Sequence, residues 1–172
     1  MALSAKAAEA KKVPPKPEKR ETRQIEGWKV LVDERLLQSE NEAVGKRALQ
    51  LLEAKLADIR SVVAADRLAR LQGVTIVLDL THGDLRSMQY HPGAGWLVEH
   101  GYAKELAKCV HIPDAAYFID ARTNNQQPWC VLHELAHSYH DQVFGFDEPR
   151  ILKAYQDYKK SGHGDAAMLF DG

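Results

Sequence analysis

The sequence predicts an α+β fold: a small mixed sheet packed on a long helix, with a second helix that carries a polar motif. Three observations predict it. Residues 74–80 (Val-Thr-Ile-Val-Leu-Asp-Leu) are rich in β-branched side chains and read as a strand. Residues 41–64 repeat apolar side chains at helical spacing, at Val44, Ala48, Leu52, Leu56, Ile59 and Val63. Residues 128–144 open on a proline, which suits a first helical turn, and stop at Gly145.

The remaining elements follow in order. Residues 1–24 read as a leader and linker. Ala5-Lys6-Ala7 and Ala8-Glu9-Ala10 are small-x-small triplets like the end of a secretory signal, without its basic start or apolar middle. They fit either a clipped signal or a disordered arm. Pro14, Pro15 and Pro17 among basic residues predict an extended, solvated connection. Order is expected from Ile25, with a strand at 27–32. The long helix takes Asn41 as its N-cap, and a short helix at 65–71 stops at Gly73. Residues 81–101 hold His82, His91 and His100 in an irregular stretch, long for a loop unless it is functional or hides a short helix near Trp96. A strand is expected at 115–119, a polar turn at 124–127, and a last helix at 149–160. The apolar run 167–170 before Asp171-Gly172 predicts a strand whose partner lies beyond residue 172, so the domain of residues 25–172 reads as C-terminally incomplete.

Composition excludes several classes. The chain is 45% hydrophobic over 172 residues, enough for one domain with a core. A net charge of −1 gives no field toward nucleic acid. No apolar run approaches the roughly 20 residues of a transmembrane helix. Cys109 and Cys130 make no disulfide framework; they read as two small buried apolar side chains, or as one bridge if the chain is exported.

The chemistry sits in His133-Glu134-Leu135-Ala136-His137. Residues four apart share a helix face, so His133 and His137 can hold one zinc ion. Glu134 then stands beside the ion, free to act as general base toward water. Glu134 and His137 also form an E-x-x-H unit of the kind found in di-iron bundles, but the chain has no second one. A catalytic zinc needs a third ligand. The in-chain candidates are Glu148, Asp157, His163 and Asp165; the alternative is a glutamate beyond residue 172. His140 and Asp141 lie further along the same helix, with Tyr139. They are expected beside the ligands, toward the substrate, or simply in solvent. Tyr139, Tyr155, Tyr158 and His163 are candidates to steady an oxyanion.

The stretch 129–146 around this motif resembles a group of bacterial, planctomycete-type zinc metallopeptidases. So do Tyr90-His91-Pro92-Gly93-Ala94-Gly95-Trp96-Leu97 and His100-Gly101-Tyr102. More distantly, the layout is similar to the catalytic domain of anthrax lethal factor and other glutamate-zincins. The resemblance implies a zincin-like fold, one Zn2+ on His133 and His137, Glu134 as base, a peptide or protein substrate, and export to the periplasm or exterior rather than residence in the cytoplasm. It also implies that the third ligand comes from a glutamate helix after residue 172. The expected function is therefore a zinc-dependent metallopeptidase. The alternative is a metal-binding or protein-interaction module that is incomplete or inactive.

Overall fold

The computed structural model describes residues 13–162. They fall into two compact units, one ending at Ser138 and one beginning at Tyr139. The signal-like triplets, His163, Asp165 and the apolar run 167–170 lie outside the described residues.

The first unit is built on one five-stranded mixed sheet in the order β1-β2-β3-β5-β4. β1 (Arg20–Ile25) and β2 (Trp28–Asp33) form an antiparallel hairpin. Their two-residue turn, Glu26 at φ 51° and Gly27 at φ 93°, has the left-handed backbone such hairpins need. Regular structure thus begins before Ile25. The proline-rich stretch ahead of it is held too: Thr81 Oγ1 donates to the Pro15 carbonyl at 2.7 Å and Lys16 Nζ to that of Gly101 at 2.6 Å.

β3 (Ile76–Leu78) runs parallel to both β2 and β5 (Val110–Ile112), so it is central and offers no free edge. β4 (Gln89–Tyr90) closes the far side, antiparallel to β5. Register and the two-residue period sort the side chains. Val30, Ile76 and Val110 share one face with Val32, Leu78 and Ile112; Leu31, Val77 and His111 share the other. On that second face Leu31 and Val77 join Leu97 and Leu106 in an apolar cluster.

The long helix, α1 (Glu42–Val62), buries Ala48, Leu52, Leu56 and Ile59, the stripe the spacing predicts. Asn41 stands at its N-cap position, but its side-chain amide donates to the Arg35 carbonyl instead of capping the helix. α2 (Ala65–Gln72) ends at Gly73 as expected and is tied to β2 by Trp28 Nε1, 2.9 Å from the Leu71 carbonyl. The irregular stretch holds β4 and α3 (Ala94–Glu99).

Two local expectations are corrected. Residues 115–119 are not a strand: Asp114 accepts a hydrogen bond from the Tyr117 amide and starts α4 (Ala115–Phe118). The strand is Val110–Ile112, just upstream. Residues 124–127 are the end of α5 (Ala121–Gln126), which Asp120 caps through the Thr123 amide at 2.9 Å.

α6 (Cys130–Tyr139) buries Val131, Leu135 and Ser138 along one side. Its lead-in is anchored to α1 by Lys55 Nζ, which donates to the Pro128 carbonyl at 2.8 Å. In the second unit residues His140–Phe144 form a π turn that stops at Gly145, φ 78°. α7 (Pro149–Lys160) has the predicted bounds, with Glu148 as its N-cap.

Candidate functional site

α6 sets the motif out as its spacing demands. The buried stripe of Val131, Leu135 and Ser138 turns the opposite side outward, and His133 and His137 stand there exposed. Their Nε2 atoms meet at 3.0 Å, with the rings edge to face, centroids 4.6 Å apart. Two imidazole nitrogens on one tetrahedral zinc stand about 3.3 Å apart, given a Zn–N length near 2.05 Å. The pair therefore suits a zinc ion in donor type, spacing and access. A cleft beside it is lined by Gln127, Pro128, Trp129, Cys130 and His133; the Trp129 ring is about half exposed.

Glu134 is half-buried and turns toward the sheet. Its Oε2 accepts the backbone N–H of Tyr90 at 2.7 Å. Along β4 the next amide, that of His91, donates inward to the Cys109 carbonyl at 3.1 Å. Successive amides of a strand point to opposite sides, so the Tyr90 N–H belongs to the outer edge of the sheet. The carboxylate thus has one oxygen fixed by the edge strand.

The other proposed residues are accounted for locally. Glu148 caps α7, accepting from the Arg150 amide at 3.1 Å and pairing with its guanidinium at 2.6 Å. Those hydrogen bonds hold its carboxyl below the usual range. Asp157 pairs with Lys153 one turn away. The Tyr139 ring meets Phe144, and the His140 ring meets Phe146 with centroids 5.3 Å apart; Asp141 is half-buried in the π turn. Tyr155 and Tyr158 are exposed on α7. Cys109 and Cys130 are free thiols.

Sequence reasoning missed a second cluster, inside the first unit. Asp79, fully buried, accepts four hydrogen bonds. Arg20 gives two, Nε to Oδ1 at 2.7 Å and Nη2 to Oδ2 at 2.8 Å. His82 Nδ1 and His111 Nε2 give the others to Oδ2, at 2.7 and 2.9 Å. His111 Nδ1 in turn faces His91 Nε2 at 3.3 Å. Burial pushes the Asp79 carboxyl up, but the bonds from Arg20, His111 and His82 outweigh it and hold the group well below the usual carboxylate range. Burial, then the neighbouring histidines, push His91 down to about 4. His111 is lowered by burial despite its bond to Asp79. Both rings are therefore neutral at pH 7, and the protons have one order: His91 donates to His111, and His111 donates to Asp79.

Among the described residues this is the one group of three or more potential metal ligands that converge, with ligand atoms within 4.8 Å of one another. Its chemistry is that of a hydrogen-bonded hub. The guanidinium already occupies both oxygens of Asp79, and both histidines direct N–H groups at it. A cation here would sit beside the fixed charge of Arg20. The signal for the hub was present in the sequence: an aspartate and a histidine within apolar strand runs, Leu78-Asp79-Leu80 and Val110-His111-Ile112, each need a buried partner.

No helix among the described residues is long and apolar enough to cross a membrane. No family model, curated protein or solved structure matches this chain.

Proposed function

We propose that the chain is a zinc-dependent hydrolase of peptide bonds, or the part of one that carries two metal ligands and the general base. One observation carries this reading: two exposed imidazole nitrogens 3.0 Å apart on successive turns of α6, with the motif glutamate between them in sequence. His133 and His137 would hold the ion. When bound, zinc acidifies water to a pKa of about 7 and polarises a carbonyl oxygen. The residues of the chain do the rest. Glu134, with Oε2 fixed on the Tyr90 amide, has Oε1 left to take a proton from the attacking water and return it to the leaving amine. The cleft along Trp129 gives a substrate side chain room next to His133. A zincin-like fold agrees with a mixed sheet whose edge strand meets the motif helix.

The test is Glu134→Gln. Zinc content should stay that of the parent, and turnover of a fluorogenic peptide mixture should fall by roughly 10²–10⁴-fold, the usual worth of a general base. Turnover that survives the change in a verified preparation rejects the mechanism.

A second reading, a metal-binding module without catalysis, is favoured by the same pair. A catalytic zinc takes three protein ligands, and the described residues that converge in threes are those of the buried hub. On this reading zinc is lost on dialysis and no peptide is cleaved by the zinc-loaded chain.

A further inference from the structure

Glu134 is not aimed by its own helix alone. Its fixed oxygen rests on one amide of β4, and β4 is only two residues long. The pairing continues one residue past it through the His91 backbone, whose N–H donates to the Cys109 carbonyl at 3.1 Å and whose carbonyl accepts from the Lys108 N–H at 2.6 Å. The His91 side chain, 4% exposed, adds a second restraint on the residue next to Tyr90. His91 lies on the face of the sheet that carries His111, because Gln89 pairs with His111 and side chains repeat every second residue. From there the contacts run unbroken: His91 to His111 at 3.3 Å, His111 to Asp79 at 2.9 Å, Asp79 to Nε and Nη2 of Arg20. Each group is tied to a different strand or strand end: β4, β5, β3 and β1.

Apolar residues at 20, 79 and 111 together would fill the same space with no buried carboxylate or guanidinium to satisfy. Apolar replacements of buried ionic groups are commonly neutral or stabilising. What the polar line adds is direction. Hydrogen bonds fix angles and register where apolar contacts tolerate sliding.

We propose that Arg20, Asp79, His111 and His91 are positioning residues for Glu134: the buried line pins the edge strand so that the Tyr90 N–H holds the carboxylate in its working orientation. The inference rests on the hydrolase reading for its purpose, but the contact it concerns is measurable without turnover.

The experiment uses the full chain and changes His91, the end of the line furthest from the buried ion pair. His91→Leu removes the donor to His111. His91→Gln restores it, because the glutamine amide nitrogen reaches about where Nε2 stood. Two readouts are taken. The first is the Tyr90 amide proton resonance, which a carboxylate acceptor moves downfield; Glu134→Gln supplies the reference without that charge. The second is kcat and KM on the fluorogenic peptide mixture, with zinc content. In His91→Leu the Tyr90 resonance should move toward the Glu134→Gln position. Its kcat should fall by about tenfold to a hundredfold, the range expected when a reacting group is misplaced by up to 1 Å. KM and zinc content should hold, and His91→Gln should recover most of both losses.

A His91→Leu protein that is less heat-stable but keeps the Tyr90 resonance, and kcat within about twofold, overturns the proposal, since a purely structural line would behave that way. If His91→Leu does not fold, His91→Asn serves, because its shorter amide falls short of His111; an unmoved Tyr90 resonance there also overturns it. If the parent chain cleaves nothing, the hydrolase reading fails by itself. The positioning contact is then decided on the Tyr90 resonance: lost in Leu and regained in Gln supports it, unchanged in both rejects it.

Discussion

Arg20 carries more than its position in a linker-like run suggests. Its guanidinium neutralises a carboxylate that is 0% exposed, and its own side chain is about one-fifth exposed. Asp79 cannot be hydrated where it lies, so its charge depends on that pair. Arg20→Met keeps the aliphatic stem and removes the cation, which should destabilise the fold by about 3–5 kcal/mol, as expected when a buried pair loses one partner. The double change Arg20→Met with Asp79→Asn removes the stranded charge as well and should recover part of the loss. Urea unfolding of the single and double variants measures both. A single variant as stable as the parent would mean that the two histidines suffice for Asp79. At this scale the motif itself was fully legible: His133, Glu134 and His137 are one short sequence, and i to i+4 spacing dictates that the two rings meet. The oxygen that Glu134 gives to Tyr90 was not legible, because the donor is a backbone amide 44 residues away, which no residue type announces.

At the scale of elements, length decided what could be read. α1 repeats its apolar stripe through more than five turns, and α7 begins at Pro149, so both were delimited from spacing and punctuation. β5 and β4 have three and two residues, too few for a period to register, and β5 hides a histidine among its apolar neighbours. The run Ala115-Ala116-Tyr117-Phe118-Ile119 looked extended by composition, yet one hydrogen bond from the Tyr117 amide to Asp114 commits it to a helical turn. The packing of α1 yields a prediction whose sign separates two effects. In an exposed helix interior, Gly→Ala stabilises by roughly 0.5–1 kcal/mol. At Gly45 a β-carbon would stand 2.0 Å from the Leu36 carbonyl oxygen, a backbone atom that cannot swing away. Gly45→Ala should therefore destabilise by about 1–3 kcal/mol, the cost of overpacking. Thermal unfolding gives the sign directly, and a raised midpoint would mean that the start of α1 is free to shift.

At the scale of the whole molecule, the buried hub makes stability depend on pH in a direction that can be worked out. His91 and His111 are held neutral in the fold, His91 down to about 4, against an unfolded value near 6.5. Between those two values the unfolded chain binds protons that the folded chain refuses. The contribution of His91 is therefore complete above about pH 6.5 and is lost as the pH falls toward 4, and that of His111 is lost in the same direction. Asp79 acts lower on the scale. Its folded value lies below the unfolded value of about 3.9, so its contribution is present above that point and disappears beneath it. The two windows adjoin. Acidification should first weaken the fold through the histidines, at up to about 1.4 kcal/mol per pH unit for each proton taken up, and then through the carboxylate. Urea unfolding free energies from about pH 7.5 to 4 should trace the first window. The assignment is checked with His91→Gln, which keeps the hydrogen bond to His111 but cannot titrate, so its profile should be shallower over the same range. A parent profile flat between about pH 6.5 and 4 would show that these histidines titrate alike in the folded and unfolded chain, and a His91→Gln profile as steep as the parent's would show it of His91. The hub would then have to be open to water, contrary to the burial of all three of its histidines.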